Sequence, residues 1–132
     1  MQALNSTSAN SSANTNYTIL TADATYARRI YGISITSTDA GAQTVTISLN
    51  DGSTDYQVFV LSVAANSGNS TTVASVDIMG SVYGAAVLQK QRDANGVPYF
   101  NLPANWSVLY KYNTSLGASE SLNVLVFGET YA

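Results

Sequence analysis

The chain has 132 residues, the length of one domain, with 45% apolar and only 10% charged residues, against roughly 25% charged in average globular domains. The formal net charge is −3 and Lys plus Arg total five, so the clustered cations that displace counterions from nucleic acid are missing. Cys and His are both absent, which excludes disulfides, zinc–thiolate centres, cysteine nucleophiles and histidine general bases.

Residues 1–16 read M-Q-A-L-N-S-T-S-A-N-S-S-A-N-T-N. This arm has neither the cationic n-region nor the apolar h-region of a signal peptide, and the expected site of synthesis is the cytosol. Its Asn, Ser, Thr and Ala cannot bury enough apolar area to offset the entropy of ordering. By itself the arm is expected to be flexible; on a larger surface or a neighbouring copy, where it would add a strand to a sheet edge, it is expected to lie down extended. No later stretch approaches the roughly 20 apolar residues of a membrane-spanning helix.

The body, residues 17–132, reads as β throughout. A short strand is expected over 17–21, then a loop at A-D-A-T-Y-A (22–27). Residues 28–37, R-R-I-Y-G-I-S-I-T-S, alternate so that Tyr31, Ile33 and Ile35 share one face and Gly32, Ser34 and Thr36 the other. After a break at T-D-A-G-A-Q, residues 44–49 place Val45, Ile47 and Leu49 inward. N-D-G-S-T-D is a strong turn signal. Residues 56–63 are nearly continuously apolar or aromatic, as in a strand covered on both faces. A-A-N-S-G-N-S breaks the run again.

Residues 72–90 contain a weak helical spacing over 75–87, opposed by Gly80 and Gly84, and predict one strand plus a short helical turn or ordered loop. In 92–106, R-D-A-N-G-V-P-Y-F-N-L-P-A-N-W, Asn95-Gly96 predicts a tight hairpin turn because both residues tolerate positive φ. Pro98 falls at a strand start, where a missing N–H does no harm, and Pro103-Ala-Asn105 turns the chain again. Trp106 then caps one end of the fold, facing either the core or an outside partner. Strands over 99–102, 108–112 and 122–127 complete the pattern. About eight short strands with turns at roughly ten-residue intervals predict an all-β, antiparallel, jelly-roll-like sandwich.

Chemistry-bearing residues are sparse. The eight carboxylates are Asp23, Asp39, Asp51, Asp55, Asp77, Asp93, Glu120 and Glu129. Most fall in turns, where Asp bonds nearby backbone amides, and no two are marked as the facing pair a glycosidase requires. Asp51–Asp55 and Asp93–Asn95 space oxygen ligands closely but lack the twelve-residue EF-hand pattern. Six Asn-X-Ser/Thr sequons, at Asn5, Asn10, Asn16, Asn69, Asn105 and Asn113, reflect a composition rich in these residues. Nine tyrosines allow an aromatic platform for a carbohydrate, with Tyr110 and Tyr112 on one face near Trp106, although strands favour Tyr in any case. No catalytic, cofactor-binding or metal-ligating residue emerges, and no cofactor is expected. The candidate partner contacts are Tyr17 at the end of the arm, the dicationic pair Arg28-Arg29, and Trp106.

Four stretches, in order, carry a likeness: A-D-A-T-Y-A-R-R-I-Y-G-I-S-I-T-S-T-D (22–39), A-Q-T-V-T-I-S-L-N-D-G-S-T-D-Y (42–56), R-D-A-N-G-V-P-Y-F-N-L-P-A-N-W-S-V (92–108) and L-N-V-L-V-F-G-E-T-Y (122–131). Together they resemble the capsid decoration, or cement, proteins of tailed bacteriophages, over most of the chain after residue 17. The resemblance implies a non-enzymatic virion structural protein with a β-sandwich fold. It would sit on the outer capsid surface, bound to the major capsid protein, often as a homotrimer, with no nucleic acid or membrane as partner. The alternative expectation is a carbohydrate- or receptor-binding sandwich module of a phage fibre or tail, for which the partner is a glycan.

Overall fold

The computed structural model describes residues 2–9, 13–78, 91–116 and 119–131, the first segment by its backbone. Ten strands follow in chain order: β1 (Gln2–Ala9), β2 (Tyr17–Leu20), β3 (Ala27–Ser37), β4 (Gln43–Asn50), β5 (Asp55–Val63), β6 (Val76–Asp77), β7 (Gln91–Arg92), β8 (Pro98–Leu102), β9 (Ser107–Tyr112) and β10 (Leu122–Tyr131). Every pairing is antiparallel. One sheet has the order β1-β10-β3-β8-β7, and the other β2-β9-β4-β5. The two-residue β6 lies on the edge of β3 opposite β10, beside Ser34 and Ile35, while β8 occupies the same edge at Arg28–Ile30. With β6 and β7 set aside, eight strands numbered in sequence run 1-8-3-6 over 2-7-4-5. That is the strand order of a jelly roll.

Alternation produces these strands. In β4, Val45, Ile47 and Leu49 are buried; in β9, Val108, Tyr110 and Tyr112; in β10, Leu122, Val124 and Val126. Residues of opposite parity lie mostly on the solvent side of their sheets. The facing sheets enclose one core, whose largest fully buried side chains are Tyr110, Tyr112, Phe59 and Phe100.

Two β-bulges change the faces that simple alternation predicts. Phe127 pairs with Gly32 and Gly128 with Ile30, which leaves Tyr31 as the extra residue of β3. The parity slips there. Ile30, Ile33 and Ile35 therefore form the inner row, and Tyr31 moves to the outer face with Arg29 instead of sharing a face with Ile33 and Ile35. In β5, Ile47 pairs with Phe59 and Ser48 with Gln57, so Val58 is the extra residue. The apolar run 56–63 is not covered on both faces: β5 is an edge strand, with Val60 43% exposed. The apolar run fitted a central strand; the bulge and the edge position account for the same residues otherwise.

The described part of the arm is extended, but on its own chain and not on a neighbour. Its residues 2–9 form β1 and pair with β10 over Gly128 to Leu122, irregular only between Ala3 and Asn5. The sheet edge that β10 would otherwise present is thereby covered, and the polar segment gains the backbone bonds it cannot make alone. Of the residues 72–90, Val76–Asp77 supply the short strand; the helical spacing over 75–87 falls largely on residues outside those described.

Turn chemistry between the strands is carried by carboxylates. In the β7–β8 hairpin Asp93 Oδ1 accepts from the backbone N–H groups of Asn95 and Val97, both at 2.9 Å. Gly96 alone has positive φ, +79°, and Asn95 does not, so the hairpin is a longer loop and not a two-residue turn with both residues left-handed. After β5, Gly68 sits at φ +70° with the Thr36 side chain so close that an added Cβ would lie 2.6 Å from Cγ2. Only glycine satisfies both the dihedral and the space there.

Candidate functional site

Three connections converge on one end of the sandwich: 21–26 between β2 and β3, 51–54 between β4 and β5, and 103–106 between β8 and β9. The first and third are stitched by the Asn105 N–H, which donates to the Asp23 carbonyl at 2.7 Å. Asn105 is left-handed, φ 70°, and the Trp106 N–H closes the turn onto the Pro103 carbonyl at 3.2 Å. Asp23 in turn accepts from the Thr25 and Tyr26 N–H groups at 2.8 and 3.0 Å. These two bonds hold its carboxyl below the ordinary carboxylate range.

Arg28 lies on the inner face of β3 at this end and is only 5% exposed. Its guanidinium donates to the Thr21 carbonyl and the Trp106 carbonyl, each at 2.8 Å. Thr21 follows β2 and Trp106 precedes β9, so one side chain from the first sheet ties two ends of the second. Burial draws its pKa down from the free-arginine value, and the Asp23 charge opposes that. Arg28 is engaged by its own chain, as an internal tie.

Arg29, one residue on, points the other way. Its guanidinium lies 4.9 Å from the Tyr99 ring centroid and 5.0 Å from that of Tyr131, and 3.3 Å from Glu129 Oε1. Tyr31 also donates to Glu129 Oε1 at 3.3 Å, Tyr99 to Gln91 at 3.0 Å and Tyr131 to Asn101 at 2.7 Å. Tyr31 and Tyr99 are buried but stand outside the main core cluster. They build a second, aromatic layer on the outer face of the first sheet, with a partly exposed ion pair at its rim.

Trp106 packs one side against the core, partly buried, and stacks the other on Tyr56, with centroids 5.6 Å apart and planes 18° from parallel. The ring thus caps the core and, with Tyr56, contributes to an outer surface. Leu49 explains the geometry, because it pairs with Tyr56 on one side and Val108 on the other. Tyr56 and Trp106 are therefore on the inner-face row, beyond the last core layer, and their rings meet over Leu49. An open groove of about 410 Å³ lies here, lined by Leu49, Asp55, Tyr56, Gln57, Val58 and Trp106. Tyr56 is 45% exposed. Its hydroxyl donates to Asp51 Oδ2 at 3.1 Å, while Asp51 Oδ1 accepts from the Ser53 and Thr54 N–H groups at 3.0 and 2.8 Å. The Ser53 and Thr54 bonds lower the Asp51 pKa, and the bond to Asp51 raises that of Tyr56. The hydrogen bond to Asp51 orients the Tyr56 ring.

Tyr17, the remaining candidate contact, stacks on Tyr110 and Tyr112 at 5.4 and 6.2 Å and packs against the core. Tyr110 and Tyr112 are themselves fully buried, so the aromatic platform expected from that pair does not exist: β9 is an inner strand whose tyrosine face points at the other sheet. Among the described residues the exposed aromatics are Tyr26 and Tyr56, and Tyr56 forms a surface with the partly buried Trp106. Sequence reasoning passed over Tyr56 because the apolar run hid the bulge in β5. The available signal was its place directly after the D-G-S-T-D turn. Asp51 and Asp93, weighed as calcium ligands, use their oxygens on turn amides. Among the described residues no group of three or more carboxylates is gathered for a metal. No family model, curated protein or solved structure matches the chain.

Proposed function

We propose that the protein is a non-enzymatic virion structural protein that decorates and stabilises the outer surface of a tailed-bacteriophage capsid, contacting the major capsid protein. The observation that supports this reading is the eight-strand jelly-roll order, an architecture used by viral capsid and lectin domains. It joins the likeness of the four sequence stretches to decoration proteins. Such a protein acts by many modest contacts repeated over a lattice, where copy number supplies avidity without a deep reactive site. A trimer is the favoured assembly, and β5, an edge strand with Val60 exposed, offers backbone groups to a neighbouring strand.

The test is cryo-electron microscopy of the particle whose genome encodes the chain. Density matching the jelly roll on the outer capsid surface is the expected result. Purified capsids that lack the chain, or density confined to the tail, would overturn the reading. The second reading, a carbohydrate- or receptor-binding module of a fibre or tail, draws on the exposed Tyr56–Trp106 surface, and predicts the chain in tail fractions.

A further inference from the structure

We infer that the groove at Tyr56 and Trp106 is a binding site for one neutral hexopyranose unit of a glycan. The inference does not rest on the capsid reading, since a site at the end of a jelly roll is open to solvent whether the domain sits on a head or a fibre.

Pyranose rings present one or both faces as a patch of C–H groups carrying partial positive charge, edged by hydroxyls. Aromatic ring faces carry the complementary partial negative charge. Stacking on Trp106 covers one face of Tyr56, so its 45% exposure comes from the other face and the ring edges. That surface is oriented by its bonds: the hydroxyl donates to Asp51, and Asp51 accepts from two amides of its own turn. An oriented ring loses less entropy on binding than a mobile one.

Polar groups stand at the groove's edge where sugar hydroxyls would fall. Asp55 is oriented by the Asn50 amide, which donates to Oδ1 at 2.6 Å, and the exposed Gln57 follows it on the same wall. The volume of about 410 Å³ lies within the roughly 300–1,000 Å³ of small-ligand clefts, which are typically apolar surfaces with a few placed polar groups. Leu49 and Val58 supply the apolar floor. The charge here is negative, with Asp51 and Asp55 beside the rings and no Lys or Arg among the lining residues. Uronic and sialic acids would meet like charge without a cationic partner. Neutral hexoses meet none.

Trp106 is the only tryptophan, so its fluorescence reports on this groove alone. The full chain is titrated with the methyl α- and β-pyranosides of glucose, galactose and mannose to about 50 mM, roughly 50 times a millimolar dissociation constant. Saturation-transfer NMR is run on the same pairs. At least one neutral pyranoside should give a saturable change, and Tyr56→Ala should weaken it at least about tenfold. Gln57→Ala, a change on the exposed wall that leaves both rings in place, should weaken it as well. N-acetylneuraminic acid should give no change. The inference is overturned by silence from every neutral sugar, by an equal response in Tyr56→Ala, or by equal binding of N-acetylneuraminic acid. A failed titration leaves the capsid reading standing, and absence from capsids leaves this site standing.

Discussion

Arg28 and Arg29 are adjacent and chemically identical, yet their removal should differ sharply. Arg28→Met keeps most of the aliphatic stem and deletes the guanidinium. Two bonds of 2.8 Å to the Thr21 and Trp106 carbonyls disappear. Hydrogen bonds to a charged group are worth about 1.5–3 kcal/mol each. Set against this, the mutant no longer buries a cation, and part of the loss is recovered. The net cost should be about 2–4 kcal/mol. For a domain of this size each kcal/mol lowers Tm by roughly 3–5 °C, so the expected drop is about 10 °C. Arg29→Met removes an ion pair that is more than a third exposed at both ends and two ring contacts at the rim; its effect should be clearly the smaller. Urea unfolding followed by far-ultraviolet circular dichroism gives both free energies, and Trp106 fluorescence shows whether the loop it anchors loosens first. If Arg28→Met proves no more damaging than Arg29→Met, the cross-sheet tie is not what holds this end of the sandwich.

The glycines separate two kinds of strain. Gly68→Ala adds a methyl 2.6 Å from Thr36 Cγ2 at positive φ and should cost more than about 2 kcal/mol, whereas Gly96→Ala, at positive φ in open space, should cost only about 1–2 kcal/mol; equal urea midpoints would contradict the contact. On pH, Asp39 is held below its ordinary value chiefly by the Gln43 amide, and Asp23, Asp51 and Asp93 chiefly by backbone amides. Their folded values lie under the unfolded one, so their stabilisation is complete above about pH 4 and is lost as pH falls through the folded values. Because His is absent, Tm should be flat between about pH 5.5 and 7 and fall below about pH 4; a transition near pH 6.5 in calorimetric scans would refute this. Deleting residues 2–9 removes the strand covering β10 and should lower Tm and promote self-association in light scattering; an unchanged, monodisperse variant would show that the edge is protected otherwise. On the proposed capsid function, the same deletion should reduce capsid occupancy, measured by quantitative mass spectrometry against wild type; unchanged occupancy would show that the arm takes no part in capsid binding.

Much of the fold was legible in the residues. Period-two alternation in 44–49 names the inner face because a pleated strand turns successive side chains to opposite sides, and Val45, Ile47 and Leu49 are buried as read; alternation in 108–112 and 122–127 marks two rows without saying which is inner, and Tyr110 and Tyr112 belong to the buried one. Turn residues mark the boundaries for an equally local reason: Asp51 and Asp93 bond amides two to four residues away. Only the tertiary structure decided what depends on which strands become neighbours. A bulge is a mismatch between two strands, so neither β3 nor β5 alone discloses that Tyr31 turns outward or that Val58 is extra. The edge position of β5 follows from sheet order, which turned an apolar run into an exposed strand. The partition of Arg28 from Arg29 is parity measured against a sheet whose inner side is set by distant pairing. The Tyr56–Trp106 groove joins residues 50 positions apart through Leu49, and proximity of that kind has no signature in local spacing.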